Sequence, residues 1–167
     1  MDDARRRAIE QDCARLINRY ANRNDAADWD AVADLYTVDG RMARPTAPDE
    51  WIDGRDAILA AFRARPPRRT RHICANIEID VISPNEAVGE SAMLLFTGEG
   101  PPKVGSFHDR FVRTQDGWRW RTRGFTASSR ASGTNATRFA ILAGRRVSPL
   151  WWTSGCRRWS AGPTATT

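Results

Sequence analysis

An α+β fold is predicted for this chain, with three helices leading and a meander of long antiparallel strands following. Three observations carry the prediction. Apolar residues recur at helical spacing as far as Arg65, and at a spacing of two from Arg68 onward. Pro66-Pro67 marks the change, because prolines stop a helix. The helical part precedes the strand part instead of alternating with it, which segregates the helices to one face of the sheet.

The first helix is expected over residues 3–24, where Ile9, Cys13, Leu16, Ile17 and Tyr20 form one stripe and Arg6, Glu10, Arg15, Arg19 and Arg23 lie mostly elsewhere. A second is expected over residues 27–36, with Trp29, Val32, Leu35 and Tyr36 inward, closed by a turn at Asp39-Gly40. Residues 41–44 suit a short strand and residues 45–49 a loop. Residues 54–65 suit a third helix, with Ile58, Leu59 and Phe62 inward.

The strand starting near Thr70 is expected to carry Ile73, Ala75, Ile77, Ile79 and Val81 on one face and His72, Cys74, Asn76, Glu78 and Asp80 on the other. Residues 87–97 make the next strand. Residues 103–114 and 118–126 form a hairpin across Gln115-Asp116-Gly117, since Asp-Gly suits a tight turn. In its second arm, Trp118, Trp120 and Thr122 are expected on the packed side and Arg119, Arg121 and Arg123 on the wet side. A sheet curled round the helices would enclose an apolar cavity for a hydrophobic small molecule.

Composition narrows the function classes. The 167 residues carry 26 Lys+Arg against 20 Asp+Glu, but all six excess cations are arginines in residues 127–167, which hold no acid. Residues 1–126 are therefore neutral and read as the folded domain, with residues 127–167 as a basic extension. A basic tail without a basic face argues against a nucleic-acid partner. No apolar stretch reaches the roughly 20 residues that span a bilayer, and the charged N-terminus is no secretory signal. Cys13, Cys74 and Cys156 show no metal or redox spacing, as expected of reduced thiols in a cytoplasmic protein.

Two polar residues stand out from the apolar plan. Asp25 follows the first helix and His72 opens the long strand. A carboxylate that holds one imidazole nitrogen leaves the other to take a proton, which makes a general base. The residues also allow plainer roles. Asp25 suits the N-cap of the second helix, His72 suits a sheet position, and Tyr20, Tyr36, Trp29 and Trp51 suit a core or cavity wall. Arg110 and Arg113 could bind a carboxylate in bidentate fashion, or be solvated. Two distant histidines make no metal site.

Four segments carry a family resemblance: residues 20–30, YANRNDAADWD; residues 54–58, GRDAI; residues 69–73, RTRHI; and residues 107–111, FHDRF, with DGWR at 116–119. By their order and spacing, residues 8–126 resemble SnoaL-like members of the nuclear transport factor 2-like (NTF2-like) superfamily. The resemblance implies a cone-shaped α+β fold, no cofactor, and a homodimer or homotrimer. Asp25 and His72 resemble the Asp–His dyad of scytalone dehydratase and of hexachlorocyclohexane dehydrochlorinase. In those enzymes the histidine removes a proton and the aspartate orients it. Ser106 and His108 fall where scytalone dehydratase has a substrate-binding Ser and Asn.

The resemblance thus implies a lyase or isomerase of dehydratase or cyclase type. Asp25 and His72 would be catalytic, with Tyr20, Tyr36, Trp51, Ser106 and His108 as substrate contacts. The dehydratase's second histidine is missing, Thr97 or another residue standing in its place. Residues 69–76 also resemble the small subunits of aromatic-ring dioxygenases. A structural subunit and a non-catalytic binding protein are therefore the two alternatives.

Overall fold

A computed structural model describes residues 1–66, 69–98 and 100–128. The basic extension expected at the C-terminus, with Cys156, lies outside the described residues from 129 onward. The element order is α1 (Asp3–Asp25), α2 (Trp29–Ala33), β1 (Tyr36–Arg44), β2 (Ala47–Asp53), α3 (Arg55–Arg63), β3 (Arg71–Ser83), β4 (Glu86–Phe96), β5 (Lys103–Thr114) and β6 (Gly117–Ala127). The six strands form one curved sheet in the order β2-β1-β6-β5-β4-β3. All neighbours are antiparallel except β1 and β6, which run parallel.

The expected stripe of α1 is buried, from Ile9 through Cys13, Leu16 and Ile17 to Tyr20. Asp2 caps its start by accepting from the Arg5 N–H at 2.8 Å, satisfying a donor that the helix cannot. α2 is far shorter than expected. Ala27 sits at a φ of 56°, which interrupts the helix, and Asp28 starts a new turn by accepting from the Ala31 N–H at 3.3 Å. Tyr36-Thr37-Val38 are strand formers, and they open β1 where a helix end was expected.

The Asp39-Gly40 pair lies inside that strand, not at a turn. A Cβ on Gly40 would stand 3.0 Å from the carbonyl oxygens of Thr37 and Trp120, so glycine is what lets β1 and β6 approach. The loop expected over 45–49 is largely β2. Pro48 is tolerated there because β2 is the edge of the sheet.

Two bulges decide what points inward. In β3 the register against β4 shifts between Ala75 and Glu78, and Asn76 takes a φ of 50°. One extra residue reverses the alternation. His72 and Cys74 are the more covered residues before the bulge, and Ile77, Ile79 and Val81 after it. The single apolar face expected from Ile73 to Val81 does not exist, and Ile73 is 46% exposed. In β6 the register against β5 shifts where Arg110 pairs with Thr122 and Phe111 with Trp120. Arg121 is the extra residue. Trp118 and Trp120 are buried before it, Arg123 and Phe125 after it.

The core is aromatic. Trp120 is fully buried between Tyr20, Tyr36 and Phe111, at ring-centroid distances of 5.6, 5.3 and 5.9 Å. A side chain of that size hides about 150–250 Å². At about 25 cal/mol per Å² this favours folding by roughly 4–6 kcal/mol before the entropy of ordering it.

Candidate active site

The end of α1 and the start of β3 meet at one carboxylate. Asp25 Oδ1 lies 2.6 Å from His72 Nδ1 and accepts from the Thr70 hydroxyl at 3.0 Å. Its Oδ2 accepts from the His72 backbone N–H at 2.9 Å. Asp25 therefore fixes the backbone and the ring of His72 together. It does not cap α2, a role that falls to Asp28. Both side chains are nearly enclosed, with 8% and 5% exposed. Arg71 approaches Oδ2 at 3.8 Å from a largely exposed position, so water screens most of that attraction.

The geometry assigns the tautomer. Nδ1 carries the hydrogen toward the carboxylate, and Nε2 keeps its lone pair. Burial lowers the His72 pKa below its usual 6.5, Asp25 opposes that shift, and the Arg123 and Arg65 charges add to it. The imidazole is therefore neutral at neutral pH, as a general base must be.

Tyr20 stands beside the dyad, its ring edge-on to His72 at 6.1 Å between centroids. It also touches the rings of Phe62, Phe107 and Trp120. Burial raises its hydroxyl pKa. Tyr36 is fully buried against Trp120, and its hydroxyl has no partner among the described residues.

Three of the expected substrate contacts lie elsewhere. On β5, Phe107, Asp109 and Phe111 are buried toward the core. Ser106 and His108 alternate with them and leave from the opposite face. His108 Nδ1 lies 3.7 Å from Glu90 there. Trp51 shares that outer face, since its ring and the His108 Cβ both border Gly124. The thickness of the sheet separates Trp51, Ser106 and His108 from Asp25 and His72. Two grooves open along α1, one lined by Arg7, Glu10, Gln11, Ala14, Ile77 and Ile79, the other by Arg15, Asn18, Arg19, Asn22, Arg23 and Ala26. Neither is bordered by the dyad.

The sequence reading missed a second ion pair, in the centre of the core. Arg123 Nη1 donates to Asp109 Oδ2 at 3.1 Å, with side-chain exposures of 1% and 0%. The guanidinium carbon lies 3.7 Å from the Phe107 ring centroid and 4.3 Å from those of Tyr20 and Trp120. Such cation–π contacts offset part of the cost of burying the charge. Burial raises the Asp109 pKa to about 6 against the opposing pull of Arg123. The Trp120 indole N–H approaches this carboxylate without closing a hydrogen bond.

Arg123 was expected on the wet face. The bulge at Arg121 turns it inward, and nothing in the alternation of Trp118 to Arg123 announces a bulge. Of the two roles open to Arg110 and Arg113, the solvated one holds: Arg110 pairs with Glu86 at the surface, and Arg113 is exposed. Among the described residues, no three His, Cys, Asp or Glu side chains group as metal ligands.

Residues 5–124 match the family model for the SnoaL-like domain. No curated protein matches the chain. Among solved structures, one from Novosphingobium aromaticivorans DSM 12444, described provisionally as a scytalone dehydratase, is 23% identical over 80% of this chain and 93% of its own, with a TM-score of 0.68. An NTF2-like protein with a cystatin-like fold from Novosphingobium aromaticivorans is 22% identical over 83% and 92%, with a TM-score of 0.69. ActVI-ORFA from Streptomyces coelicolor is 22% identical over 71% and 96%, with a TM-score of 0.60. At these identities the likeness carries the fold: helices packed on a curved, six-stranded NTF2-like sheet.

Proposed function

This chain belongs to the SnoaL-like domain family, and on that premise we propose that it is a small-molecule lyase or isomerase working by general-base catalysis. The observation that carries the reading is the 2.6 Å contact between His72 Nδ1 and Asp25 Oδ1. His72 Nε2 takes a proton from a C–H next to a carbonyl. The electron pair moves onto the carbonyl oxygen and gives an enolate. An isomerase returns the proton at another carbon; in a dehydratase the enolate pair expels the β-hydroxyl, which leaves as water with the proton that His72 took. Asp25 holds the tautomer and offsets the positive charge that His72 gains. The aromatic surroundings of Tyr20 favour a hydrophobic, cyclic substrate. The provisional dehydratase among the similar structures supports the same chemistry. Ser106, His108 and Trp51 have no part in this reading, because they face away from the dyad.

The test is proton exchange at an acidic C–H. Wild type should exchange the α-protons of cyclic ketones such as 2-tetralone for deuterium, read by NMR in deuterated buffer, and His72→Ala should not. Equal exchange by both proteins, or none by wild type across such ketones, would sink the reading.

A specific observation bears on assembly. Ile73, Phe96 and Val104 are 46%, 42% and 47% exposed on the outer face of β3, β4 and β5. Apolar surface of that kind favours association, as a homodimer or homotrimer under the leading reading. It equally suits the small subunit of an oxygenase, which is the second reading. Gel filtration separates them. A stable homo-oligomer supports the first, and a monomer that assembles only with a foreign subunit supports the second.

A further inference from the structure

Arg123 presents an incomplete set of bonds in a place where that is unusual. Its side chain is 1% exposed, and Asp109 satisfies only Nη1. Nε and Nη2 have no partner among the described residues. These two nitrogens form the side-on fork of a guanidinium, the edge that receives a carboxylate through two parallel hydrogen bonds. A pair kept only for structure would close that fork on its own aspartate, since buried donors without acceptors are costly. Here Asp109 meets the guanidinium through Nη1 alone.

The surroundings fit the same ligand. Tyr36, in the aromatic cluster that also includes Trp120, is fully buried with its hydroxyl unpartnered, a further donor. The rings of Tyr20, Phe107 and Trp120 surround the guanidinium and suit an aromatic or alicyclic body. Tyr20 touches both Arg123 and His72, so the guanidinium and the base share one aromatic neighbour.

We propose that the Nε/Nη2 edge of Arg123, with the Tyr36 hydroxyl, is a binding site for the carboxylate of a hydrophobic cyclic acid. As an account of substrate choice it rests on the general-base reading. As a binding site it can be tested without that reading.

Isothermal titration calorimetry of the full chain with benzoate, and with its uncharged analogue benzamide, makes the test. Benzoate should bind about ten- to hundred-fold more tightly, the range expected for charge-assisted hydrogen bonds. Tyr36→Phe removes only an unpartnered hydroxyl and leaves the ring, so it should fold and weaken benzoate several-fold. The double variant Asp109→Leu/Arg123→Met removes both charges together and should abolish the preference over benzamide. No benzoate binding, equal binding of benzamide, or a preference that survives the double variant would each overturn the proposal. Ketone exchange by wild type that depends on His72, together with any of those results, would overturn it while sparing the general-base reading. Benzoate binding that depends on Arg123, without exchange that depends on His72, would do the opposite.

Discussion

Two buried pairs among the described residues join an aspartate to a basic side chain, and they are built in opposite ways. At the junction of α1 and β3, Asp25 spends its oxygens on Thr70 and on the backbone and ring of His72. In the centre of the sheet, Asp109 holds Arg123 by one nitrogen and leaves the fork bare. The first pair is anchored and can lose its charge, because imidazole titrates near neutrality. In the second the arginine stays protonated, and only Asp109 titrates, at about 6. A closed, titratable pair suits moving a proton. An open one with a permanent guanidinium charge suits holding an anion.

The comparison breaks most visibly when one partner is removed. Asp109→Leu leaves a buried guanidinium uncompensated, and urea unfolding should show a loss of about 3–5 kcal/mol. Adding Arg123→Met should recover most of it, because two apolar side chains of similar volume replace the pair. If the single variant is as stable as wild type, the central pair is not the buried charge described here.

At the other pair the large effect should be on rate. Loss of His72 should lower turnover of a ketone substrate by about 10²–10⁴-fold in steady-state assays. Asp25→Asn should lower turnover less than that while His72 remains.

Acidity sharpens the contrast, because the two pairs give slopes of opposite sign. The folded-state pKa of His72 lies below 6.5, so below that pH the unfolded chain binds more protons. Its contribution to stability is complete above 6.5 and is lost as pH falls through the folded pKa. Asp109 is raised from 3.8 to about 6, so the folded chain binds more protons between those values. Its contribution weakens as pH rises through that window. Denaturant midpoints against pH should steepen in the double variant lacking Asp109 and flatten in His72→Ala. Activity, which needs neutral His72, should show an acid limb below pH 6.5.

The smallest expected effect concerns the backbone that aims His72. At a φ of 50°, Asn76→Gly should be tolerated within about 1 kcal/mol, whereas Asn76→Val should cost about 1–2 kcal/mol. A thermal melt that ranks Val above Gly would remove the bulge from the argument.

The same bulges explain which parts of the site could be read from the sequence. Asp25 ends a helix and His72 begins a strand, so each lies at a boundary that helical spacing and the Pro66-Pro67 break mark well. Their meeting depends on where elements start and stop. Arg123 lies in mid-strand, where its direction depends on counting twos from Trp118, and one extra residue at Arg121 reverses the count. Ile73 was misplaced in the same way by Asn76. β5 contains no such slip before Arg110, so alternation puts Ser106 and His108 on the face opposite Phe107 and Asp109. There the family resemblance misled, and the spacing of twos would have corrected it. α2 and β1 were misjudged because Val32, Leu35 and Tyr36 fit a helical stripe that Ala27 and Asp28 cut short.

The parallel pairing of β1 with β6 has a consequence for synthesis. Tyr36 and Met42 find their strand partners at Trp120 and Arg123, and the Trp120 N–H donates to the Leu35 carbonyl at 2.8 Å. A ribosome has released α1, α2 and α3, all of which feed the core, long before it adds those residues. Pairings so distant along the chain form slowly and leave apolar surface open to other molecules meanwhile. The nascent N-terminal half must therefore wait, with Tyr20 and Tyr36 uncovered, until the last strand emerges and brings the buried arginine with it.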